Sequence, residues 1–294
     1  MTSTAVHDIP PELESAYREC IALAKSHYEN FTVAGWFLPK RLLPHVAAVY
    51  AYCRGVDDLG DEAAGNRLAL LDAWEADLEQ AYTGTPTAPH LRALQHTIRA
   101  FSIPPEPFRK LVTANRMDQT NDRYATFDDV LHYCEHSANP VGFLYLLLFG
   151  YDDEERRRLS DFTCTALQLA NFWQDVRRDW DKGRVYLPQE DMERYGVTEE
   201  QLAEGVCTPA FRELMAFEVE RAQGLFEQGL PLVDMLQGPA RLHVKLFSLG
   251  GMRVLDAIRA QGYDVLSKRP TVTGRRKAWL IAKTYLGMKL TRQI

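Results

Sequence analysis

Acidic residues in the segment 50–62 have the type and spacing of a metal-binding group. The segment YAYCRGVDDLGDE ends an otherwise apolar run with four acidic residues. Asp57 and Asp61 are four residues apart, so on a helix they share one face with an offset of about 40°. Carboxylates next to apolar residues are costly to bury unpaired, and a hard cation such as Mg²⁺ offsets that cost. The spacing therefore predicts a divalent-cation site.

A second segment, QLANFWQDVRRDW at 168–180, repeats this arrangement. Asn171, Asp175 and Asp179 are four residues apart and also continue an apolar stretch. If the two faces lie opposite each other in a helix bundle, they form a carboxylate-lined cleft for Mg²⁺ and a phosphorylated substrate. The alternative is that each acidic group is a solvated helix face.

The helices that must position these groups follow from the periodicity of the apolar residues. No sustained alternation of period two is found, which predicts a single all-α helical bundle over residues 1–294. Thr126 and Asp129 resemble a capping box, and the segment 181–196 is predicted to be a loop. The predicted helices lie at 12–26, from Pro44 into the acidic cluster, 67–82, 91–101, 107–122, from Phe127 through a kink at Pro140, 160–181, 209–228, 242–261 and in the tail 267–294.

Composition indicates a globular protein of a reducing, cytoplasmic setting. Of 294 residues, 46% are hydrophobic, and the five cysteines are scattered without a CxxC pair. No secretory leader is evident, and no window approaches 18 uninterrupted apolar residues, so no transmembrane span is predicted.

Charge is distributed unevenly along the chain. The net charge is −6, yet residues 267–294 contain eight Lys or Arg and no Asp or Glu, which leaves −14 for the remainder. An acidic body does not suit nucleic acid. The basic, partly apolar tail could rest on an anionic inner-membrane surface, or it could be a solvated final helix packed on the body.

Other chemistries find less support in the sequence. His132 and His136 are four residues apart, but on a helix Cys134 faces away from them and no second ligand pair follows, which argues against zinc. The chain contains neither a GxxxxGK phosphate loop nor a GxSxG nucleophile elbow.

Two motifs together resemble the squalene/phytoene synthase family, over about residues 27–289. They are CRxxDDxxDE at 53–62 and QxxNxxxDxxxD at 168–179. Supporting matches are RMD at 116–118, Arg123-Tyr124, the GRVYLP segment and GYDVLSKR at 262–269. The resemblance implies the class I terpenoid synthase fold and a prenyl diphosphate substrate.

The resemblance also implies roles for individual residues. Tyr133 would line the reacting pocket, unless it is core packing with a capped hydroxyl. Arg54 could instead pair with Asp58, and His27 could be a core histidine. The implied Mg²⁺ ligands are Asp57, Asp61, Asn171, Asp175 and Asp179. The implied substrate-binding residues are His27, Tyr50, Arg54, Gln168 and Arg184.

One segment departs from the usual family pattern. YCEHSANPVG stands in place of YCxxVAGxVG, and Gln174 replaces a frequent arginine. SANPVG, HYENF and NFWQD resemble the bacterial hydroxysqualene synthase branch, which works in hopanoid precursor synthesis alongside a presqualene diphosphate synthase. That resemblance implies loss of diphosphate from presqualene diphosphate and formation of an alcohol. Because polar side chains can hold a water positioned to capture the cation, we hypothesise that His136, Ser137 or Asn139 orients that water. Alternatively, these side chains hydrogen-bond the kinked backbone around Pro140.

Two further functions compete with this interpretation. A conventional head-to-head synthase would condense two farnesyl or geranylgeranyl diphosphates to presqualene diphosphate, squalene or phytoene. A non-catalytic prenyl-lipid binding or assembly protein would be expected to lose its acidic motifs, and both are intact.

Overall fold

The computed structural model describes residues 9–26 and 37–290. Helices account for most of these residues, which confirms the all-α prediction. The isolated bridge between Arg123 and Val185 is the sole strand-type pairing within the described ranges. The longer and shorter helices, in chain order, are α1 Glu14–Ser26, α2 Leu43–Asp61, α3 Arg67–Thr83, α4 Pro89–Phe101, α5 Glu106–Met117, α6 Phe127–Ser137, α7 Asn139–Leu148, α8 Glu154–Asp181, α9 Gln189–Tyr195, α10 Glu199–Glu204, α11 Pro209–Gly229, α12 Pro231–Met235, α13 Gly238–Ala260 and α14 Gly274–Leu290.

The described residues form two compact units. The first comprises 9–26, 37–120 and 140–153, and the second comprises 121–139 and 154–290. The prediction of a single domain over 1–294 stays a prediction.

Helix α2 is the centre of the first unit, where it packs against α1, α3, α4 and α5. Its inward side carries Tyr52 and Val56, which are fully buried with Leu71 and Phe108. The Tyr52 hydroxyl donates a hydrogen bond to the carbonyl oxygen of Phe108 at 3.1 Å. This apolar packing fixes the rotation of α2 and therefore the direction in which its acidic end points.

Helix α8 is the centre of the second unit and packs against α11 and α13. Trp173 on α8, Phe211 and Phe226 on α11, and Leu255 on α13 are completely buried. The 28-residue length of α8 carries the chain from this core into the second acidic motif.

The prediction of one continuous helix with a kink at Pro140 is wrong, because the chain forms two separate helices there. Helix α6 ends at Ser137, Ala138 caps it with φ −113°, and α7 begins at Asn139. Pro140 has no N–H to donate to the preceding turn, so the helical ladder is interrupted. At the other end of α6, the capping box of Thr126 and Asp129 is confirmed.

Three other boundaries differ from the predictions. Helix α8 begins at Glu154 rather than at residue 160. The acidic side chains of Glu154 and Glu155 in its first turn interact favourably with the positive end of the helix dipole and stabilise this earlier start. The predicted loop 181–196 contains α9, and α10 was not predicted. The tail contains α14, preceded by an irregular segment at 264–273.

Two predictions from composition concern the whole chain. All five cysteines lie within the described residues and are free thiols. Among residues 9–26 and 37–290, no helix combines the length and apolar character needed to cross a bilayer.

Candidate functional site

The first acidic group lies at the C-terminal end of α2. Asp57 and Asp61 are one turn apart there, as predicted. The Asp57 carboxylate is reachable by solvent but closely surrounded by protein, and this partial desolvation raises its pKa to about 6; the charge of Asp61 adds to the rise. The raised pKa means that the ionised form of Asp57 is destabilised, and a bound cation would stabilise that form.

Asn115 on α5 supports Asp57, and the sequence analysis missed it. Its Nδ2 donates to Asp57 Oδ1 at 3.3 Å and to the Leu111 carbonyl oxygen at 3.1 Å. Gly60 makes the approach possible, because a Cβ there would lie 2.1 Å from Asn115 Oδ1. Gln119 Nε2 donates to the Gly60 carbonyl oxygen at 3.0 Å and completes the contact between α2 and α5. The only signal in the sequence was the position of Asn115 next to the RMD match.

Arg54 pairs with acidic residues of its own helix. Its Nη2 lies 2.5 Å from Asp58 Oδ1 and 3.1 Å from Glu62 Oε1. This is the pairing that the alternative interpretation of Arg54 predicted, and its contact with a diphosphate stays a prediction. Tyr50, one turn earlier, is half-buried, and burial raises the pKa of its phenol, so the hydroxyl stays neutral.

Arg116, which belongs to the RMD match, forms ion pairs with two acidic residues of a neighbouring helix. Its guanidinium contacts Asp72 at 2.6 Å and Glu75 at 2.7 Å, both on α3. These ion pairs tie α5 to α3 within the first unit.

The second acidic group lies at the C-terminal end of α8. Asn171 is exposed, whereas Asp175 and Asp179 are partly buried. Burial raises the pKa of Asp179 to about 7, and the charge of Asp175 raises it further, while Lys182 and Arg184 act in the opposite direction. Two of the three predicted ligands are therefore crowded carboxylates, a donor set that fits Mg²⁺.

Arg269 holds Asp175 in a bidentate ion pair. Arg269 Nε lies 2.6 Å from Asp175 Oδ1, and Nη2 lies 2.8 Å from Oδ2. Gln174 fixes the same segment, since its Oε1 accepts from Arg269 Nη2 at 2.8 Å and its Nε2 donates to the Pro270 carbonyl oxygen at 2.6 Å. The glutamine that departs from the family pattern thus places the arginine that neutralises Asp175. Within α8 itself, Arg178 approaches Asp175 only to 3.6 Å.

Arg184 follows α8 in a tight turn. Gly183 has φ +82°, a conformation that favours glycine, and the Arg184 N–H donates to the Asp179 carbonyl oxygen at 2.8 Å. Arg123 braces this turn, with Nη1 donating to the Gly183 carbonyl oxygen at 2.6 Å. Arg184 and Asp179 line one small pocket of the second unit. The other residues of that pocket are Phe172, Val176, Val185, Tyr186 and Leu187.

Tyr133 lies in a cluster of aromatic rings that extends to this pocket. It is 5% exposed, and its ring centroid lies 5.8 Å from Tyr186 and 6.1 Å from Phe172. Phe172 and Tyr186 stack face to face at 3.7 Å with an interplanar angle of 6°. Tyr124 also stacks with Tyr186, at a centroid distance of 5.6 Å. The structure thus unites a predicted residue with three rings that were not predicted individually, although Tyr124, Phe172 and Tyr186 all belong to quoted motif segments.

The polar residues His136, Ser137 and Asn139, at the end of α6 and the start of α7, have three different surroundings. His136 Nδ1 lies 2.9 Å from the His132 carbonyl oxygen. Asn139 Oδ1 accepts from Thr165 Oγ1 of α8 at 3.0 Å. Ser137 Oγ is shielded from solvent and has no hydrogen-bond partner within the described part of the chain. Within the described residues, the contact of His136 is with the backbone, and the water-holding role and the alternative of backbone hydrogen bonding around Pro140 both stay predictions.

The remaining predicted residues are placed as follows. Gln168 is half-buried on α8, one turn before Asn171. His27 lies outside the described residues. The acidic groups of α2 and α8 belong to different units, and their opposition across one cleft stays a prediction.

Comparisons with known proteins agree with this fold and these motifs. The squalene/phytoene synthase family model matches residues 24–276. The 15-cis-phytoene synthase of Synechococcus elongatus is 32% identical over 279 residues, which cover 90% of this chain and 91% of that protein. The crystal structure of squalene synthase HpnC from Alicyclobacillus acidocaldarius is 48% identical with a TM-score of 0.85, covering 88% of this chain and 99% of that chain. The crystal structure of a dehydrosqualene synthase in complex with ligand is 28% identical with a TM-score of 0.84, covering 95% of this chain and 98% of that chain.

An all-α fold with two acidic helices of this kind defines a prenyl diphosphate-processing synthase of the class I terpenoid type, a class that generally depends on divalent metal ions. Within that class, the chain belongs to the squalene/phytoene synthase family.

Proposed function

We propose that this protein is a Mg²⁺-dependent enzyme that converts presqualene diphosphate to hydroxysqualene, with loss of diphosphate and capture of water. The observation that carries the proposal is the shielded Ser137 hydroxyl, which lacks a hydrogen-bond partner among the described residues. A buried polar group in that state is commonly satisfied by an ordered water. The 48% identity with squalene synthase HpnC supports chemistry that leads to a squalene-type C30 product.

The carboxylates of α2 and those of α8 would bind Mg²⁺ and thereby the diphosphate. Asp57 and Asp179, whose pKa values are raised to about 6 and about 7, are the groups that gain most from a cation. When bound, Mg²⁺ supplies positive charge that stabilises the departing diphosphate. Arg184 lines the same pocket as Asp179, and its guanidinium would contact diphosphate oxygens.

The aromatic rings would protect the carbocation that remains after diphosphate leaves. Tyr133, Phe172 and Tyr186 would form an apolar aromatic wall beside the carbocation, and their close packing leaves no room for bulk water between the rings. Early capture by random water is thereby suppressed.

Ser137 would then orient the one water that reacts. Its hydroxyl can donate to or accept from that water, while Asn139 is kept in place by Thr165. Attack of the water oxygen on the cation forms the carbon–oxygen bond of the alcohol and releases one proton to solvent. Positioning of a single water in an otherwise apolar pocket is what separates an alcohol from a hydrocarbon product.

Product analysis with presqualene diphosphate and Mg²⁺ tests the proposal. We expect hydroxysqualene from the wild type and a reduced share of alcohol from the double variant Ser137→Val, Asn139→Gly. Thr113→Val, which removes an exposed hydroxyl on α5, is the matched control and should leave the product unchanged. An unchanged alcohol share in the double variant would contradict the water-holding role.

Head-to-head condensation of two farnesyl or geranylgeranyl diphosphates is the second candidate function. It is favoured by the similarity to a phytoene synthase and a dehydrosqualene synthase over at least 90% of this chain. Incubation with farnesyl diphosphate alone distinguishes the candidates, because formation of a C30 product would favour condensation over the hydroxysqualene step.

We further propose that α14 rests on an anionic membrane surface while the enzyme handles its water-insoluble lipids. Trp279 and Leu286 are each 57% exposed, and Leu290 is 84% exposed. They are spaced seven and four residues apart, so they share one face of the helix. Lys283 lies on that face too, with its Nζ 4.8 Å from the Trp279 ring centroid. Exposed apolar residues among basic ones are typical of interfacial helices.

Vesicle flotation tests this contact without removing the segment. Deletion from residue 267 onward would also remove Arg269, which holds Asp175, so point substitutions are preferable. We expect Leu286→Gln with Leu290→Gln to weaken binding to vesicles that contain anionic lipid. Val206→Gln, an equally exposed apolar residue elsewhere, is the control. Equal flotation of all three proteins would refute the contact.

A further inference from the structure

Helix α6 carries a further group of side chains whose types commonly bind metal ions, and this group is separate from the two acidic motifs. His132, Glu135 and His136 stand at positions i, i+3 and i+4, so all three project from one side of the helix. Their ligand atoms lie within 4.8 Å of one another. Cys134 is fully buried on the other side, as the sequence analysis expected. The objection that the two histidines lack further ligands does not hold, because Glu135 supplies a third.

The hydrogen bond of His136 settles which of its nitrogens can bind a metal. The His132 carbonyl oxygen can only accept, so the His136 Nδ1 at 2.9 Å carries the proton. Nε2 is therefore left with a free lone pair. A histidine that donates one ring N–H to a carbonyl while the other nitrogen binds metal is the usual arrangement in metalloproteins.

The other two side chains are free to complete the coordination. His132 Nδ1 lies 3.5 Å from Glu135 Oε2, and these side chains are 61% and 58% exposed. The His132 and His136 ring centroids are 4.7 Å apart. A zinc ion at this site would require rotations of the exposed side chains that bring each ligand atom to roughly 2.0–2.2 Å from the ion, and a fourth position would be left for water.

We infer that His132, Glu135 and His136 form a binding site for a transition-metal dication of the Zn²⁺ class. Two imidazoles and one carboxylate favour Zn²⁺, Co²⁺ or Ni²⁺ over Mg²⁺, which prefers oxygen ligands. The site is thus chemically distinct from the carboxylate groups of α2 and α8.

Calorimetric titration of the full-length protein with Zn²⁺, in millimolar Mg²⁺ to occupy the oxygen sites, tests the inference. We expect one saturable Zn²⁺ equivalent in the wild type, with affinity at least about tenfold lower in His132→Ala and Glu135→Gln. Glu193→Gln, another exposed glutamate, should bind as the wild type does.

Co²⁺ absorption spectra separate this site from the free thiols. Ligation by nitrogen and oxygen gives no thiolate charge-transfer band, and Cys207→Ser should leave the spectrum unchanged. Unaltered Zn²⁺ affinity in His132→Ala with a native circular dichroism spectrum would overturn the inference. So would the absence of a saturable equivalent in the wild type.

Discussion

Replacement of Arg269 by glutamine should tighten the binding of a divalent cation to the substrate-free protein. The guanidinium occupies both oxygens of Asp175, at 2.6 and 2.8 Å. A metal ion at Asp175 must therefore share the carboxylate with a cation or displace it. Glutamine keeps a polar side chain next to Gln174 but removes the positive charge.

The size of the effect follows from Coulomb's law. An ion bound to the Asp175 oxygens would lie about 5 Å from the charge of Arg269, given metal–oxygen bonds of about 2.1 Å. At that separation a dication and a unit charge repel by about 1.7 kcal/mol even at the dielectric constant of water. Removal of that repulsion corresponds to roughly 15-fold tighter binding.

Electron paramagnetic resonance with Mn²⁺ as the probe measures this affinity directly. The titration is best done at pH 8, where Asp179, with a pKa of about 7, is ionised. Arg178→Gln should have a smaller effect, because Arg178 is 64% exposed and lies 3.6 Å from Asp175. Arg177→Gln should have almost none, since Arg177 pairs with Asp181 at 3.1 Å.

One outcome would refute the reasoning. If Arg269→Gln folds with the wild-type melting temperature and binds Mn²⁺ no more tightly, then Asp175 is not a ligand or Arg269 does not compete for it. Weaker binding would show that Arg269 helps to form the metal site.

Three further perturbations follow from the contacts within each unit. Gly60→Ala should lower the free energy of unfolding by about 1–3 kcal/mol in denaturant titrations, because its Cβ would lie 2.1 Å from Asn115 Oδ1; a change below about 0.5 kcal/mol would mean that Asn115 moves at little cost. Burial raises the pKa of Glu218 to about 8, so the free energy of unfolding of the wild type should fall by up to about 1.4 kcal/mol per pH unit between pH 5 and 8. Glu218→Gln should remove that slope, and parallel pH profiles of the two proteins would contradict this. Arg123→Gln should release the Gly183 carbonyl oxygen and raise KM in steady-state assays more than it lowers kcat, whereas an unchanged KM would show that the turn holds without it.

The sign for Glu218 follows from its surroundings. The carboxyl is completely buried on α11, beside Asp191 and 3.3 Å from Arg221. Loss of solvent outweighs the attraction of Arg221, so the folded protein prefers the protonated acid. The stabilising contribution is complete below the ordinary glutamate pKa and is lost as the pH rises through about 8.

Local patterns explain which helices could be predicted. The ends of α4 and α11 lie within two or three residues of their predicted positions, because periodicity, prolines and turns encode them locally. The break at Ala138 and the early start of α8 depend on a balance between a missing N–H and helix-dipole stabilisation, which apolar spacing does not measure. The short helices α9 and α10 contain too few turns for periodicity to reveal them.

The sequence by itself determined the helical class, the family and the two acidic faces, because each depends on residues within a few turns of one another. Tertiary structure alone decided how those carboxylates are held. Asn115 reaches Asp57 across 58 positions of sequence, and Arg269 reaches Asp175 across 94. The rings of Tyr133, Phe172 and Tyr186 likewise meet only after folding. Hydrogen bonds, ion pairs and stacking depend on distance in space, and helical periodicity contains no information about which distant segments will become neighbours.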